Sequence, residues 1–420
     1  MAREMKDSGV EWIGDIPNGW NITRNKFVMV KEKQICPIYK NQDVLSLTQK
    51  GVIVRDLDNP TGKMPTSFDG YQYIHKGNLL MCLFDIDVTP RCIGLIKDDG
   101  ITSPAYSQFI VNHGFANYYY YYYLMLDFSK ELLHLAKNLR YSLTEELLGF
   151  VPVPFPPLEE QKNISIFLDK KCSEIDNLTA DIEKQISLLE DYKKSIITEA
   201  VTKGLNPNVE MKDSGIEWIG KIPKHWKISK LKYLIQVNNT KSSNNEYKYV
   251  GLENVIGWAG KLVDDTNMSE SEFVPESSSN KAKKGDVLFG KLRPYLGKVF
   301  ISEENIICST EFLIMRPVDI EGKYLKLLFL SRDLVDVIDR STYGTKMPRA
   351  NSSFILNQYI PIPNTQEQNE ISAFLDKKCS EIDSLISDKK EQLEKLTSYK
   401  QSMIYEYVTG KKEVPTQEIA

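Results

Sequence analysis

The stretch FLDKKCSEID occupies residues 167–176 and occurs again, without a change, at residues 374–383. The similarity continues on both sides at the same offset of 207 residues, from the proline-rich stretch at 151–161 to the segment YKKSIITEAVTKG that starts at Tyr192. A duplication explains an identity of this length within one chain. Because each copy covers about two hundred residues, far more than a solenoid repeat, the sequence predicts a tandem of two domains.

A second repeated segment opens each copy. MKDSGVEWIGDIPNGW at residues 5–20 returns as MKDSGIEWIGKIPKHW at residues 211–226. Glycine and proline divide it into turns, and Trp12, Ile13, Ile16 and Trp20 are predicted to dock it as part of a local core. The regions between the repeated segments, residues 21–150 and 227–359, show little resemblance to each other. One framework carrying two unlike inserts indicates a device that presents two different readers.

Composition is that of a soluble globular protein. Hydrophobic residues make up 41% and charged residues 26% of the 420 residues, and the formal net charge is -4. No apolar run reaches the roughly 20 residues of a membrane helix, and residues 1–9 have no apolar signal core, so a cytoplasmic location is expected. The six cysteines form no CxxC pair, which favours reduced, structural thiols. The net charge does not by itself predict binding to nucleic acid.

The duplicated stretches lie in segments whose apolar residues recur every seven positions, as in long helices that form coiled coils. Since the chain has two such helices, they are predicted to pair with each other in antiparallel orientation, and pairing with partner helices is compatible with this. Polar residues such as Lys171, Gln185 and Lys389 fall on predicted core positions, where they fix register at a cost in stability. The predicted helix-pairing and subunit-docking residues are Leu168, Ile175, Leu178, Ile182, Leu189, Tyr192, Leu375, Ile382, Leu385, Leu396 and Tyr399.

The length of these helices predicts a role as a spacer. Roughly forty helical residues at about 1.5 Å each span about 60 Å. One turn of B-DNA is about 34–36 Å long, so two domains held at the ends of such a helix pair would reach separate stretches of one duplex.

Short β-rich runs bounded by turn residues predict strands in both variable regions. They lie at residues 43–54, 77–84, 286–289 and 298–301. Each variable region closes on a proline-rich stretch, VPVPFPPLEEQ from Val151 and IPIPNTQEQ from Ile360. Because proline is excluded from helix interiors and central strands, these stretches are predicted to be stiff extended linkers.

Local clusters of basic residues are the candidates for DNA contact. The predicted turn between the strands of the second region carries basic residues and a tyrosine, which suits phosphate neutralisation and base pairing by arginine. The loop TYGTKMPRA at 342–350 is similar, and a solvated turn is the alternative for both. The predicted DNA-contact residues are Lys76, Arg91, Lys137, Arg140, Tyr141, Lys291, Arg293, Tyr295, Lys298, Lys346 and Arg349.

Other motifs do not predict a standalone enzyme. The acidic loop DIDVTPR at 85–91 lacks further metal ligands at a suitable spacing. The six tyrosines at 118–123 could stack on bases, but a helix packed on both faces is the favoured interpretation. The chain has no GxxxxGK[ST] loop, no amino-methyltransferase signature and only four scattered histidines, so neither a catalytic nor a metal site is predicted.

Taken together, these motifs resemble one family. Two unlike domains, each preceded by DSGxEWIGxIPxxW and followed by PxPxxxEQ and a FLDKKCSEID helix, are similar to the specificity subunit of type I restriction-modification systems. Within the second insert, KGDVLFGKLRPYLGK, CSTEFLIMRP from Cys308 and the TYGTKMPR loop also resemble that family's target recognition domains. The first insert departs more, since KGNLLMCLFDIDVTPR lacks the usual GD, although SPAY at Ser103 and NLRYSL at Asn138 are similar.

The resemblance implies an α+β fold in which two globular α/β target recognition domains are joined by two long helices that form an antiparallel coiled coil with pseudo-twofold symmetry. The expected divisions are an opening segment at 1–20, recognition domain 1 at 21–157, a central helix at 158–205, a second opening segment at 206–226, recognition domain 2 at 227–364, a C-terminal helix at 365–410 and a tail at 411–420.

The resemblance also implies a non-catalytic reader of double-stranded DNA. Each recognition domain would read one half of a bipartite site, and the helices would set the gap and dock two modification subunits. The chain itself would hold no cofactor or metal, while S-adenosylmethionine, ATP and Mg2+ would belong to the modification and the restriction or translocase subunits. The alternatives are a coiled-coil adaptor that binds proteins without reading DNA, and an enzyme in its own right.

Overall fold

The computed structural model describes residues 3–60, 62, 64–136, 141–242, 247–263, 279–344, 346–415 and 417. The chain divides into two compact units, each of which combines one variable region with parts of both long helices. Unit 1 comprises residues 1–181 and 391–420, and unit 2 comprises residues 182–390. Within the described part of the chain, no helix is long and apolar enough to cross a membrane.

Unit 1 is built on small antiparallel sheets that pack against helix α1 at Ala116–Ser129. A four-stranded sheet has the order Ile93–Leu95, Leu79–Met81, Ser107–Val111 and Met29–Glu32, and a three-stranded sheet has the order Gly100–Thr102, Tyr71–Ile74 and Gln34–Cys36. Three two-stranded ladders pair Met5–Asp7 with Asp15–Pro17, Asn21–Arg24 with Pro152–Phe155, and Leu45–Thr48 with Gly51–Val54. The short helix α2 at Glu145–Phe150 precedes the long helix α3 at Leu158–Lys203, whose first part lies in this unit.

Unit 2 repeats this plan with its own sheets. One four-stranded sheet has the order Ile235–Val237, Phe312–Pro317, Val287–Gly290 and Val299–Ile301, and another has the order Lys241–Ser242, Ser279–Ala282, Ile306–Cys308 and Tyr249–Val250. The ladders pair Met211–Asp213 with Lys221–Pro223, Lys227–Lys230 with Tyr359–Ile362, and Val255–Ile256 with Lys261–Leu262. The helices are α4 at Gly322–Leu328, α5 at Arg332–Arg340, α6 at Ser352–Leu356 and the long helix α7 at Thr365–Val408. The long helices each end two residues before their predicted ends.

The repeated sequence motifs make repeated contacts that hold each opening segment on its long helix. In unit 1, the buried Trp20 indole donates from Nε1 to Glu160 Oε2 at 2.7 Å, and in unit 2 the Trp226 indole donates to Glu367 Oε1 at 3.2 Å. Trp12, Ile13 and Ile16 join the same cores as predicted, with the Trp12 indole donating to Tyr122. The EQ dipeptide of the motif therefore serves as a docking point for the repeated tryptophan.

The glutamine of each EQ dipeptide links the variable region of its unit to the start of the long helix. Gln161 is buried; its Nε2 donates to Pro156 O at 2.8 Å and its Oε1 accepts from the Phe115 amide at 2.8 Å. Gln368 makes the same two contacts, with Pro363 O and with the Glu321 amide. Because buried amides are costly to leave unpaired, these bonds fix where each variable region meets its helix.

Prolines of the exit stretches lie in strands, so the prediction of stiff linkers is wrong. Pro152–Phe155 pairs with Asn21–Arg24, and Tyr359–Ile362 pairs with Lys227–Lys230. These ladders have only two strands, so the outer edge of each strand needs no donor and can carry a proline. The ladders close each variable region on itself and bring its two ends together.

The tyrosine run is core, as the favoured interpretation predicted. Tyr118, Tyr119 and Tyr121–Tyr123 are buried in α1, and Tyr120 is half-buried with its hydroxyl accepting from Arg91, so the run serves packing. The Tyr118 hydroxyl donates to Val408 O in the last turn of α7, and Tyr324 of α4 donates in the same way to Val201 O near the end of α3. Burial raises the pKa of the Tyr118 and Tyr324 hydroxyls, which keeps them protonated as donors. In each unit, the variable region thus hydrogen-bonds to a carbonyl near the C-terminal end of a long helix.

The two long helices pair in antiparallel orientation, as predicted, but the seam differs in one of its two rows. In unit 1 the first part of α3 packs against the end of α7, and in unit 2 the end of α3 packs against the start of α7. Leu168, Ile175, Ile182, Leu375 and Ile382 are buried as predicted, and Leu189 and Leu396 are half-buried.

The predicted alternate row does not lie between the helices. Leu178, Tyr192, Leu385 and Tyr399 are exposed by 48–59%, so the prediction that they pair the helices is wrong. The real alternate row lies one residue further along, as at Cys172, Ile186 and Lys193 in α3. A seven-residue spacing fixes one row only, and the second row can follow after three or four residues. The exposed row is left free on the outer face of both helices.

Candidate nucleic-acid interface

In both units the loop that joins a central strand of the four-stranded sheet to its edge strand lies against the segment preceding a short helix. We call these the tip loops: residues 82–92 in unit 1 and residues 291–298 in unit 2. In unit 1, the Leu143 amide donates to Leu83 O at 2.8 Å, and in unit 2 the Ala350 amide donates to Lys291 O at 2.9 Å. The duplicated framework therefore presents two structurally equivalent loop pairs whose sequences are unrelated.

The unit 2 pair brings together most of the residues predicted there. Leu292 forms an isolated antiparallel bridge with Arg349, and the Arg293 amide donates to Pro348 O at 2.7 Å. Arg293 has a left-handed backbone with φ of 50°, which turns its exposed side chain away from the strand direction. Tyr295 and Lys346 are also exposed. The prediction of strands on both sides of this loop is confirmed by Val287–Gly290 and Val299–Ile301.

A carboxylate missed by sequence reasoning lies among these cations. Glu311 forms an ion pair with Arg349 and accepts a hydrogen bond from it. Its second oxygen, Oε2, is buried without a partner among the described residues. Lys291 lies beside it; burial lowers the pKa of its ammonium group, while the charge of Glu311 opposes that shift. The CSTEF motif itself does not indicate that its glutamate contacts residues of two loops that are distant in sequence.

Two predicted contact residues are committed to internal bonds. Lys298 donates from Nζ to Leu252 O at 2.6 Å. Arg91 donates to Ile93 O at 3.0 Å, to Gln49 O at 2.8 Å and to the Tyr120 hydroxyl. These bonds stabilise the tip loops. They leave Lys298 and Arg91 poorly placed to contact DNA.

The remaining predictions in unit 1 are dispersed. Lys76 is exposed in the turn between Tyr71–Ile74 and Leu79–Met81, and Tyr141 is exposed beside the unit 1 tip loop, where its carbonyl accepts from the Ile86 amide. Lys137 and Arg140 lie outside the described residues. The unit 1 tip loop itself carries the acidic DIDVTPR sequence in place of the basic residues of unit 2. The two loop pairs thus present different chemistry on the same geometry.

Sequence reasoning also missed a repeated basic and aromatic cluster beside α2 and α6. In unit 1, Lys26 Nζ lies 5.2 Å from the ring centre of Phe27 and 5.0 Å from that of Phe150, and Arg24 also lies over Phe150. In unit 2, Lys230 lies 5.2 Å over Tyr359 and Lys232 lies 5.2 Å over Tyr233. All four rings are exposed. The signal was present in ITRNKF and ISKLKY, which align at an offset of 206, but both had been assigned to the variable regions.

Metal-ligating groups and thiols are further features of the described part of the chain that bear on catalysis. None of their His, Cys, Asp and Glu side chains form a group of three that could hold a metal ion. Burial raises the pKa of the Cys172 thiol to about 11 and that of Cys308 to about 12, so neither is a thiolate near neutral pH. Asp127, near the acidic loop, is used structurally, accepting from the Cys92 amide at 2.7 Å and from Lys130 at 2.9 Å.

Comparison with known proteins identifies relatives of this architecture. A profile of the family described as type I restriction modification DNA specificity domain matches residues 94–188 and 223–395, which is more than half of the chain. The MjaVIII specificity subunit of Methanocaldococcus jannaschii, a type I restriction enzyme subunit, is 30% identical over 280 residues, and the EcoDI specificity subunit of Escherichia coli is 20% identical over 280 residues. Each alignment covers 62% of this chain and 62% of the relative, so the chain spans about three fifths of the length of these relatives.

One solved structure, from work on complex assembly and conformational transition of the type I R-M system, contains a chain with the same fold. It matches with a TM-score of 0.66 at 15% identity, and the match covers 94% of this chain and 98% of that chain. At this identity the likeness concerns the fold alone.

Proposed function

The chain belongs to the type I restriction-modification DNA specificity family, and we propose that it is the sequence-reading subunit of a type I restriction-modification complex. The single observation that carries this proposal is the pair of equivalent tip loops with unrelated sequences. A duplicated framework holds both loops in the same way, so the two copies share their geometry and differ in their chemistry. That is what reading two different half-sites in one asymmetric DNA sequence requires.

The half-site of unit 2 is read mainly by the exposed part of its loop pair. Arg293 can donate two hydrogen bonds to a guanine edge in the major groove. Glu311 accepts from Arg349 through one oxygen, and its other oxygen is buried, so this carboxylate positions Arg349 beside the loop. Tyr295, Lys346 and the Arg349–Glu311 ion pair lie around these groups. The repeated basic and aromatic clusters supply contacts to the phosphate backbone that are common to both units.

The catalytic chemistry belongs to partner subunits. Two modification subunits use S-adenosylmethionine to methylate adenine, and restriction subunits use ATP and Mg2+ for translocation and cleavage. The paired helices of this chain dock the modification subunits and set the unspecified gap. The chain contributes recognition, and its own residues make no catalytic step.

Footprinting tests this function. The chain, assembled with its modification subunits, is incubated with a library of random duplexes, and the bound sequences are mapped. Two short protected blocks with an unspecified gap are expected, together with an affinity that falls steeply as salt rises, because counterions are released from DNA. One contiguous block would contradict a bipartite reader. If the assembled chain bound its protein partners but showed no salt-dependent affinity for DNA, the adaptor alternative would be favoured.

Replacing Arg293 by alanine is expected to weaken or relax one half-site only, by about 1–3 kcal/mol, if the guanidinium reads a base. The matched variant, Lys232→Ala, is expected to weaken all sequences alike and to reduce the salt slope by about one, because it removes a phosphate contact. Affinities for a panel of single-base variants of the site, measured at several salt concentrations, distinguish the two outcomes. A change confined to the other half-site would reverse the assignment of the units.

A further inference from the structure

The two copies of the identical helical stretch differ in how they cover their phenylalanine. In unit 1, the ring of Phe167 packs against Tyr407 with ring centres 4.5 Å apart, and only 6% of Phe167 is exposed. The equivalent residue in unit 2, 207 positions on, is Phe374, which is 41% exposed. The ring that covers Phe167 has no counterpart in unit 2, because the position that matches Tyr407 is occupied by Ala200.

A cavity of about 530 Å³ lies at this position in unit 2. Phe374 and Ala200 lie in its lining, and the segment that follows α3 forms another part of it through Leu205, Pro207 and Met211. Tyr192, a member of the exposed row on the helices, lines it as well and is 56% exposed. Glu199 and Lys203, which form an ion pair at 3.5 Å, supply its polar lining. An open apolar site with a polar edge is typical of the centre of a protein interface.

The repeat itself shows which group fits this site. In unit 1, a tyrosine ring occupies the equivalent position, against an identical phenylalanine in an identical stretch of helix. Tilted aromatic pairs of this kind gain from ring geometry in addition to burial. The surrounding exposed row is present in both units, at Leu178 and Tyr192 in α3 and at Leu385 and Tyr399 in α7. A partner that meets both copies therefore finds a shared surface with one difference, which is the open cavity in unit 2.

We propose that the unit 2 cavity receives an aromatic side chain from a modification subunit, whereas unit 1 fills the equivalent position with its own Tyr407. This inference rests on the proposed function, which supplies two copies of one partner. The two docking surfaces are then unequal: the subunit on unit 2 gains a buried aromatic anchor that the subunit on unit 1 lacks. Two modification subunits bind in two steps of different affinity, with unit 2 occupied first.

The test closes the cavity from within. Ala200→Tyr restores the ring that unit 1 has at this position, and Phe374→Ala removes the exposed ring on which the partner would pack. Isothermal titration and native mass spectrometry of the full chain with modification subunit resolve the two binding steps. Both variants are expected to weaken the tighter step by at least about tenfold and to leave the weaker step unchanged. Ala180→Tyr adds a ring at an exposed position of α3 that does not line the cavity and is expected to change neither step.

A photo-crosslinking residue at position 205 identifies the partner directly. It is expected to capture the modification subunit in the wild-type background and to lose that capture in Ala200→Tyr. If two subunits bind and both steps remain within twofold in Ala200→Tyr and Phe374→Ala, the cavity inference is wrong while the proposed function stands. If the wild-type chain binds no modification subunit, both are wrong. A loss of both steps in folded Phe374→Ala would also contradict a site confined to unit 2.

Discussion

Removal of one heptad from each long helix, residues 181–187 and 388–394, is expected to shorten the unspecified gap of the recognised DNA site by about three base pairs. Seven helical residues account for about 10 Å along the helix axis, and one base pair for about 3.4 Å. Under the proposed function, the original site should then lose its methylation, and a site with the same two half-sequences and a shorter gap should gain it. No other change considered for this chain should alter the site so completely.

The deletion must shorten both helices, because they pair along their length, and it must remove seven residues to keep the spacing of the seam. The deleted heptads face each other, as the hydrogen bond from Lys389 Nζ to Gln185 Oε1 at 2.6 Å shows. Removing seven residues from α3 brings Leu189 to the position of Ile182 and preserves the spacing of the seam. Removing four would rotate the following helix by about 40° and bring members of the exposed row toward the seam.

Base-resolution mapping of methylated adenines in cells that express each variant gives the measurement. The control is a chain that lacks only residues 181–187, in which one helix keeps its full length. That chain should lose the paired register and methylate poorly at any gap. If the double deletion is folded and still methylates the original site, the helices do not set the gap.

The helix seam shows what a sequence pattern can and cannot determine. The seven-residue spacing of Leu168, Ile175 and Ile182 correctly predicted one buried row and the antiparallel pairing. The second row was assigned to Leu178 and Tyr192 because they are apolar, whereas the structure buries Cys172 and Lys193. Burial of a lysine in preference to a tyrosine follows from its ionic partner on the other helix, and that partner is invisible in a local pattern.

The candidate interface was predictable to a similar extent. The basic loop at Arg293 could be found from its own residues, because glycine and proline mark the turn and the flanking strands are strongly apolar. Its meeting with Arg349 and Glu311 depends on long-range strand order, which the sequence does not encode locally. The proline stretches were assigned as linkers because the rule against proline in strands applies to central strands, and the ladder at Pro152 has only two.

Replacing Asp383 by alanine is expected to destabilise unit 2 by about 2–4 kcal/mol. Asp383 accepts from Lys193 Nζ at 2.6 Å, and the lysine side chain is only 10% exposed. Without its partner, that ammonium group would remain in the helix seam with little access to water, which costs several kcal/mol for a fully buried ion. Because Asp383 itself is 39% exposed, water can partly replace it. The expected cost is therefore smaller than that of breaking a fully buried ion pair.

The repeat supplies the matched control, since the same pair recurs in unit 1 as Lys400 and Asp176 at 2.5 Å. There the lysine is 20% and the aspartate 62% exposed, so Asp176→Ala should cost less than Asp383→Ala. Lys193→Met, which removes the buried charge and keeps the shape, should be neutral or slightly stabilising. Urea unfolding of the three variants, followed by circular dichroism, gives the free energies. If Lys193→Met were as unstable as Asp383→Ala, the pair would stabilise the seam by attraction rather than by fixing which residues of the two helices meet.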